Sequence, residues 1–206
     1  MTDTAPPIRM TGARSVRAVA REHPPFFRAV FADAQCARAN LGRPLPDPSR
    51  YELVASVAQL AWSSDAFFAM MLYRCKARLQ AFGVPVLPYV AHRLAMLIAQ
   101  VSIGDRVVME AGVYLPHGQV VIDGIVTVGA GSTIRPWVTI GPAEGELRGP
   151  TIGRGVRIGT GATVIGPITI GERTLVGANA VVLDDVPARS TAAGVPAKVV
   201  RSRGRK

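Results

Sequence analysis

Aromatic residues make up only 6% of this 206-residue chain. Recognition of single-stranded bases depends on exposed rings, so that class of function is disfavoured. Cysteine is scarcer still: Cys36 and Cys75 are the only two, and neither sits in a CxxC or a ligand-spaced cluster. Both lie in apolar, helix-like stretches, which predicts two reduced core thiols rather than a disulfide. Histidine occurs at 23, 92 and 117 only. His23 and His92 read as structural or solvated. A zinc site built on imidazole needs about three ligands, so no metal is expected. No stretch is long enough to span a bilayer, and Met1 to Arg9 carries no apolar signal core; a cytoplasmic location follows by default. Acidic residues are outnumbered, 14 against 24 Lys and Arg, for a formal charge of +10. A surface of that sign is either plainly solvated or attractive to nucleic acid, headgroups or a polyanionic small molecule. With no motif behind it, the charge does not argue for a nucleic-acid partner or a membrane.

Hydrophobic residues reach 49% and charged ones 18%, the balance of a folded protein. Two halves differ in period, predicting a helical domain over 1–100 and a second domain over 101–206. In the first, Ser64-Asp65 reads as a helix start before the apolar run Ala66 to Tyr73. The basic stretch Arg74 to Arg78 suits a helix end, and Gly83 with Pro85 stops it. A second helix is expected from Tyr89 to Gln100, with Leu94, Leu97 and Ile98 on one face. Pro24-Pro25 and the stretch Gly42 to Pro48 punctuate shorter helices.

From Ile103 a six-residue period takes over. Aliphatic residues recur at Ile103, Met109 and Leu115, then at Val128, Ile134 and Ile140. They return at Ile152, Ile158, Val164, Ile170, Val176 and Val182. Glycine often follows directly, and four residues after the aliphatic comes a small or β-branched one, such as Val107, Ser132 or Ala162. This is the signature of a hexapeptide β-helix, in which short strands wind around a triangular prism and one coil cannot bury its own interior. Two irregularities interrupt it. The phase slips by one residue within His117 to Gly124. Between Ile140 and Ile152 the period would place Glu146 inside the prism, where an unpaired carboxylate is too costly, so Pro142 to Pro150 is expected to leave as a loop. Function in solenoids gathers at such excursions.

The segment Leu115-Pro116-His117-Gly118-Gln119-Val120-Val121 resembles the catalytic segment of the serine O-acetyltransferases. The ending Val186-Pro187-Ala188-Arg189-Ser190-Thr191-Ala192-Ala193-Gly194-Val195-Pro196-Ala197-Lys198 is similar to that of many hexapeptide acyltransferases. The resemblance implies an α+β protein: N-terminal helices, then a left-handed parallel β-helix with an extruded loop. It implies an acetyl-CoA-dependent O-acetyltransferase of cysteine biosynthesis with no metal. His117 would be the general base that deprotonates the acceptor hydroxyl. Asp65 would bind the amine of serine and Arg148 its carboxylate. Amides near Gly141 would hold the oxyanion. Gly141, Thr160 and Ala162 would line the coenzyme groove, with Lys198, Arg201 and Arg203 on its phosphates. A homotrimer follows, since such grooves lie between neighbouring prisms, and trimers can pair.

The chain departs from the family in three places. Pro116 and Ser102 stand where the family has Asp, and Gly149 replaces a second histidine. Asp123 is expected to substitute as the orienting carboxylate by stacking over His117, if the slip falls after it. Gly149 is expected to open volume beside the hydroxyl, leaving room for a bulkier hydroxy amino acid or related hydroxylated metabolite beside L-serine. Members that dock a sulfhydrylase use an apolar C-terminal residue, whereas this chain ends in Lys206, so that docking is not expected. Competing readings are an acyltransferase acting on a sugar or secondary-metabolite precursor, a zinc hydratase on the same fold, and a non-catalytic assembly module.

Overall fold

The computed structural model describes residues 15–42 and 50–202. Among the described residues five helices come first: α1 (Val16–Ala20), α2 (Phe26–Asn40), α3 (Arg50–Ser63), α4 (Asp65–Phe82) and α5 (Leu87–Ala99). The Ser64 side chain caps α4 by accepting from the Phe67 amide at 3.3 Å. Gly83 ends it in a left-handed cap at φ 80°. No single described helix is long and apolar enough to cross a membrane. Cys36 and Cys75 are free and half-buried rather than core thiols.

A parallel β-solenoid follows, its strands stacked on three faces. The first face holds β1 (Val101–Ile103), β3 (Val120–Ile122), β6 (Thr139–Gly141), β9 (Thr163–Ile165) and β12 (Val181–Val182). The second holds β2 (Val107–Met109), β4 (Ile125–Val128), β7 (Arg148–Ile152) and β10 (Thr169–Ile170). On the third lie β5 (Thr133–Ile134), β8 (Arg157–Ile158), β11 (Leu175–Val176) and β13 (Ser190–Gly194), closed by β14 (Ala197–Ser202), which runs antiparallel to β13. Every aliphatic position of the six-residue period, from Ile103 to Val182, is buried along the prism axis. Ser132 survives there because its hydroxyl donates to Gly153 O at 3.0 Å and accepts from the Val156 amide at 3.2 Å.

The first coil has no coil beneath it, so its outward carbonyls need other donors. Helix α4 supplies them. Tyr73 Oη donates to Val107 O at 2.8 Å, Arg74 to Met109 O and Glu110 O at 2.7 Å, and Lys76 Nζ to Ile103 O at 2.5 Å. Arg74 also forks onto Asp33 of α2 at 3.0 and 3.1 Å, and Asp33 accepts from the Gly112 and Val113 amides. The basic run of α4 is therefore not an exposed helix end. Arg74 and Lys76 are 2% and 3% exposed and join helices to solenoid.

Two more expectations need correction, and a third is narrowed. Helix α5 starts at Leu87, and its buried face is Pro88, Ala91, Ala95 and Ala99. Leu94, Leu97 and Ile98 face out, because close approach of α4 and α5 admits only small side chains. The extruded loop is shorter than expected: Arg148 to Pro150 already belong to β7, so only 142–147 leave the coil, with Glu146 exposed. The phase slip falls at Pro116-His117-Gly118. Tyr114 bridges Thr133 but Val121 pairs with Thr139, so the extra residue lies between Tyr114 and Val121 and precedes Asp123.

Candidate active site

The first face has two edges. The chain enters it from the third face at Pro116 to Gln119, then at Pro136-Trp137, Thr160-Gly161 and Asn179 on later coils. It leaves toward the second face at Gly104, Asp123-Gly124 and Gly141-Pro142. Each expected site residue belongs to one of these edges or to a face beside them.

His117 lies on the entry edge and is exposed. The corner around it is tight: a Cβ on Gly118 would strike the Ala99 carbonyl, and the Gln119 amide donates to Ala99 O at 2.9 Å. That fixes the corner against the end of α5. The N-terminus of α4 stands opposite, and a cleft of about 570 Å³ opens between them, lined by Asp65, Phe67, Tyr114, His117, Gln119 and Trp137 among others. Since Ser64 performs the cap, the Asp65 carboxylate is not spent on it and stays exposed at a helix N-terminus. Asp65 and His117 are thus brought together from positions far apart in sequence.

Asp123 is not. It sits on the exit edge over Gly104, where a Cβ would meet its carboxylate. It lines a second cleft of about 570 Å³ with Ser102, Asp105 and His92. The condition for stacking over His117 fails because the slip precedes Asp123. Among the described residues no carboxylate hydrogen-bonds the His117 imidazole. Arg148 opens β7 beside Ile125, on the exit-edge side, exposed and outside the His117 cleft. Gly149 opens no volume: a Cβ there would lie 2.6 Å from Val126 Cγ2 and 3.3 Å from the Gly141 carbonyl carbon.

The expected coenzyme positions also divide. Thr160 is exposed on the entry edge, two coils beyond His117. Ala162 is fully buried; its methyl is prism core, and its amide and carbonyl already bond Gly159 O and the Thr139 amide. Gly141 is buried at the exit edge, not beside His117. Lys198 and Arg201 project from β14 on the third face, Lys198 in a loose exposed pair with Asp184 at 3.7 Å. Arg203 lies outside the described residues. No group of three or more His, Cys, Asp or Glu side chains able to hold a metal occurs among the described residues.

Residues 149–184 match the bacterial transferase hexapeptide (six repeats) family, and 99–116 match the hexapeptide repeat of succinyl-transferase. The serine acetyltransferase of Helicobacter pylori strain J99 is 35% identical over 136 residues, 64% of this chain and 79% of that one. The chain belongs to the serine acetyltransferase family. Other curated members are longer, and the chain spans little more than half of their length. The soybean serine acetyltransferase solved in complex with serine superimposes with a TM-score of 0.72 at 31% identity, covering 89% of this chain and 72% of that one. The Brucella abortus serine acetyltransferase solved with coenzyme A gives 0.73 at 26% identity, covering 92% and 73%.

Sequence reasoning missed Trp137, whose signal was its position: the equivalent corners on the next coils hold Gly161 and Asn179. It also missed the buried Asp33–Arg74 pair, since an ion pair between distant helix positions leaves no periodic trace.

Proposed function

We propose that this protein transfers an acetyl group from acetyl-CoA to the hydroxyl of L-serine or a related small hydroxy amino acid. The observation that carries this reading is the shared cleft of His117 and Asp65. Neutral imidazole takes the hydroxyl proton as the oxygen attacks the thioester carbonyl. The tetrahedral adduct collapses, the C–S bond breaks, and the thiolate leaves with the proton from the imidazolium. Asp65 holds the acceptor's ammonium meanwhile. Relatives solved with serine and with coenzyme A support both substrates. Thr160 on the same edge, with Lys198 and Arg201 on the neighbouring face, marks the path of the coenzyme.

Arg148, the carboxylate ligand in this reading, lies across the first face from His117. A strand of three residues separates the two edges by roughly 10 Å. A complete site therefore takes His117 and Asp65 from one chain and Arg148 from another, which supports a closed homotrimer. A cytoplasmic location and a division into a helical domain to residue 100 and a β-helical domain from 101 belong to the same reading.

Purified protein incubated with acetyl-CoA and L-serine, homoserine, threonine or an amino sugar, with thiol release followed, tests it. Thiol release with a hydroxy amino acid is expected. Release with the sugar alone would move the protein to the sugar-acylating branch of the fold.

A further inference from the structure

The entry edge repeats one left-handed backbone position on successive coils: Gln119 at φ 57°, Trp137 at 64°, Gly161 at 72° and Asn179 at 55°. That conformation drives Cβ toward the following carbonyl; glycine escapes the cost and asparagine reduces it. Gly161 and Asn179 obey this preference. Trp137 is the bulkiest side chain there is, in a place that suits bulky residues least. Packing within one chain does not explain it, because Trp137 is 64% exposed and lies outside that chain's core. Its amide donates to Gln119 O at 2.7 Å, a bond any residue would make. Trp137 lines the cleft of His117 and Asp65, where the acceptor of the reading above would sit. Backbone strain of this kind persists where function requires it.

The indole joins an apolar wall that includes Leu41, Phe67, Ile98 and Tyr114. The cleft, about 570 Å³, is of a size that takes ligands much larger than serine. Trp137 stands one coil beyond Gln119, a step of roughly 4.8 Å along the edge. An acceptor with its hydroxyl at His117 and its ammonium at Asp65 would turn a substituent on the hydroxyl-bearing carbon toward the indole. We infer that Trp137 is a specificity-determining residue of the acceptor subsite, and that it favours hydroxy amino acids bearing an apolar or planar substituent over L-serine itself. The inference rests on the acyl-transfer reading above.

The test compares kcat/KM for L-serine and for 3-phenylserine in the wild type, Trp137→Gly and Trp137→Phe, together with the KM for acetyl-CoA and the thermal midpoint. The wild type should prefer 3-phenylserine. Trp137→Gly should cut that preference by roughly tenfold, read as the ratio of the two kcat/KM values, which a change in acetyl-CoA binding common to both acceptors does not move. Its thermal midpoint should not fall, because glycine takes the left-handed corner freely. Trp137→Phe should keep most of the preference. An unchanged preference in Trp137→Gly with serine still acetylated overturns the inference alone. So does an effect confined to the KM for acetyl-CoA, or a fall in the thermal midpoint that accounts for the loss. If threonine or homoserine is acetylated and 3-phenylserine is not, the inference alone falls; if no hydroxy amino acid is acetylated, the reading above fails and takes this inference with it.

Discussion

At the scale of single residues, the base and a buried histidine behave in opposite ways. His117 is exposed at a corner that Gly118 and Gln119 lock against α5, so removing its ring should disturb chemistry rather than folding. His117→Ala should lower kcat by roughly 10² to 10⁴ while coenzyme binding, measured by calorimetry, stays near wild type; activity close to wild type would assign the ring to structure. His23 is buried edge-on against Tyr73, at 5.5 Å between ring centroids. Burial, then the charges of Arg74, Lys76 and Arg78, lower its pKa to about 4, against an opposing backbone hydrogen bond at Val107. An unfolded chain would protonate this imidazole near its ordinary pKa of 6.5. The folded state is therefore favoured in full above that pH and loses the contribution as pH falls toward 4. Melting curves between pH 7 and 4 should steepen this loss in the wild type and flatten it in His23→Phe; identical profiles would exclude the effect.

At the scale of elements, the joint between α4 and the first coil decides whether helices and solenoid act as one body. Arg74 is 2% exposed and satisfies Asp33 and two solenoid carbonyls at once. Arg74→Met leaves Asp33 buried without its counter-charge and should cost about 3–5 kcal/mol, read as a lower urea midpoint; a loss well below that would mean the pair is hydrated in solution. The third face ends in β14, where Arg201 is exposed beside Thr191. Arg201→Ala should weaken coenzyme A binding at low salt, and the difference should shrink as salt rises, because exposed charges are screened. A deficit independent of salt would mark a packing effect instead.

At the scale of the whole molecule, the division of site residues between two edges has a direct consequence. Chains carrying His117→Ala and chains carrying Arg148→Ala should each be impaired, and a refolded mixture should regain part of the activity, since a site between two different chains can be intact. No recovery on mixing, or a monomer by light scattering with full activity, would place the whole site within one chain.

The solenoid itself was legible in the sequence because burial along a prism is a one-dimensional pattern. The period put Ile103, Met109 and Ile158 inside; the structure buries Ala162 as well, where the family-based expectation had it line a groove. The boundaries of α4 were legible for the same local reason, an N-cap at Ser64 and a left-handed stop at Gly83. The excursion near Glu146 followed from the cost of burying one carboxylate. What no local rule could reach depends on how elements from distant parts of the chain meet. Where the one-residue slip falls decides that Asp123 stands over Gly104 rather than His117, and the one-letter pattern is the same either way. Whether Arg74 is solvated or buried depends on the unpaired carbonyls of a coil more than thirty residues later in the chain. That Gly149 is tightly packed follows from Val126 and Gly141 beside it, and that Trp137 is strained follows from the turn of the backbone at its corner. The sequence determined which residues point inward, by their own repeat; the tertiary structure alone decided which outward residues share an edge, because that depends on the stacking register of coils and on the helices packed beneath them.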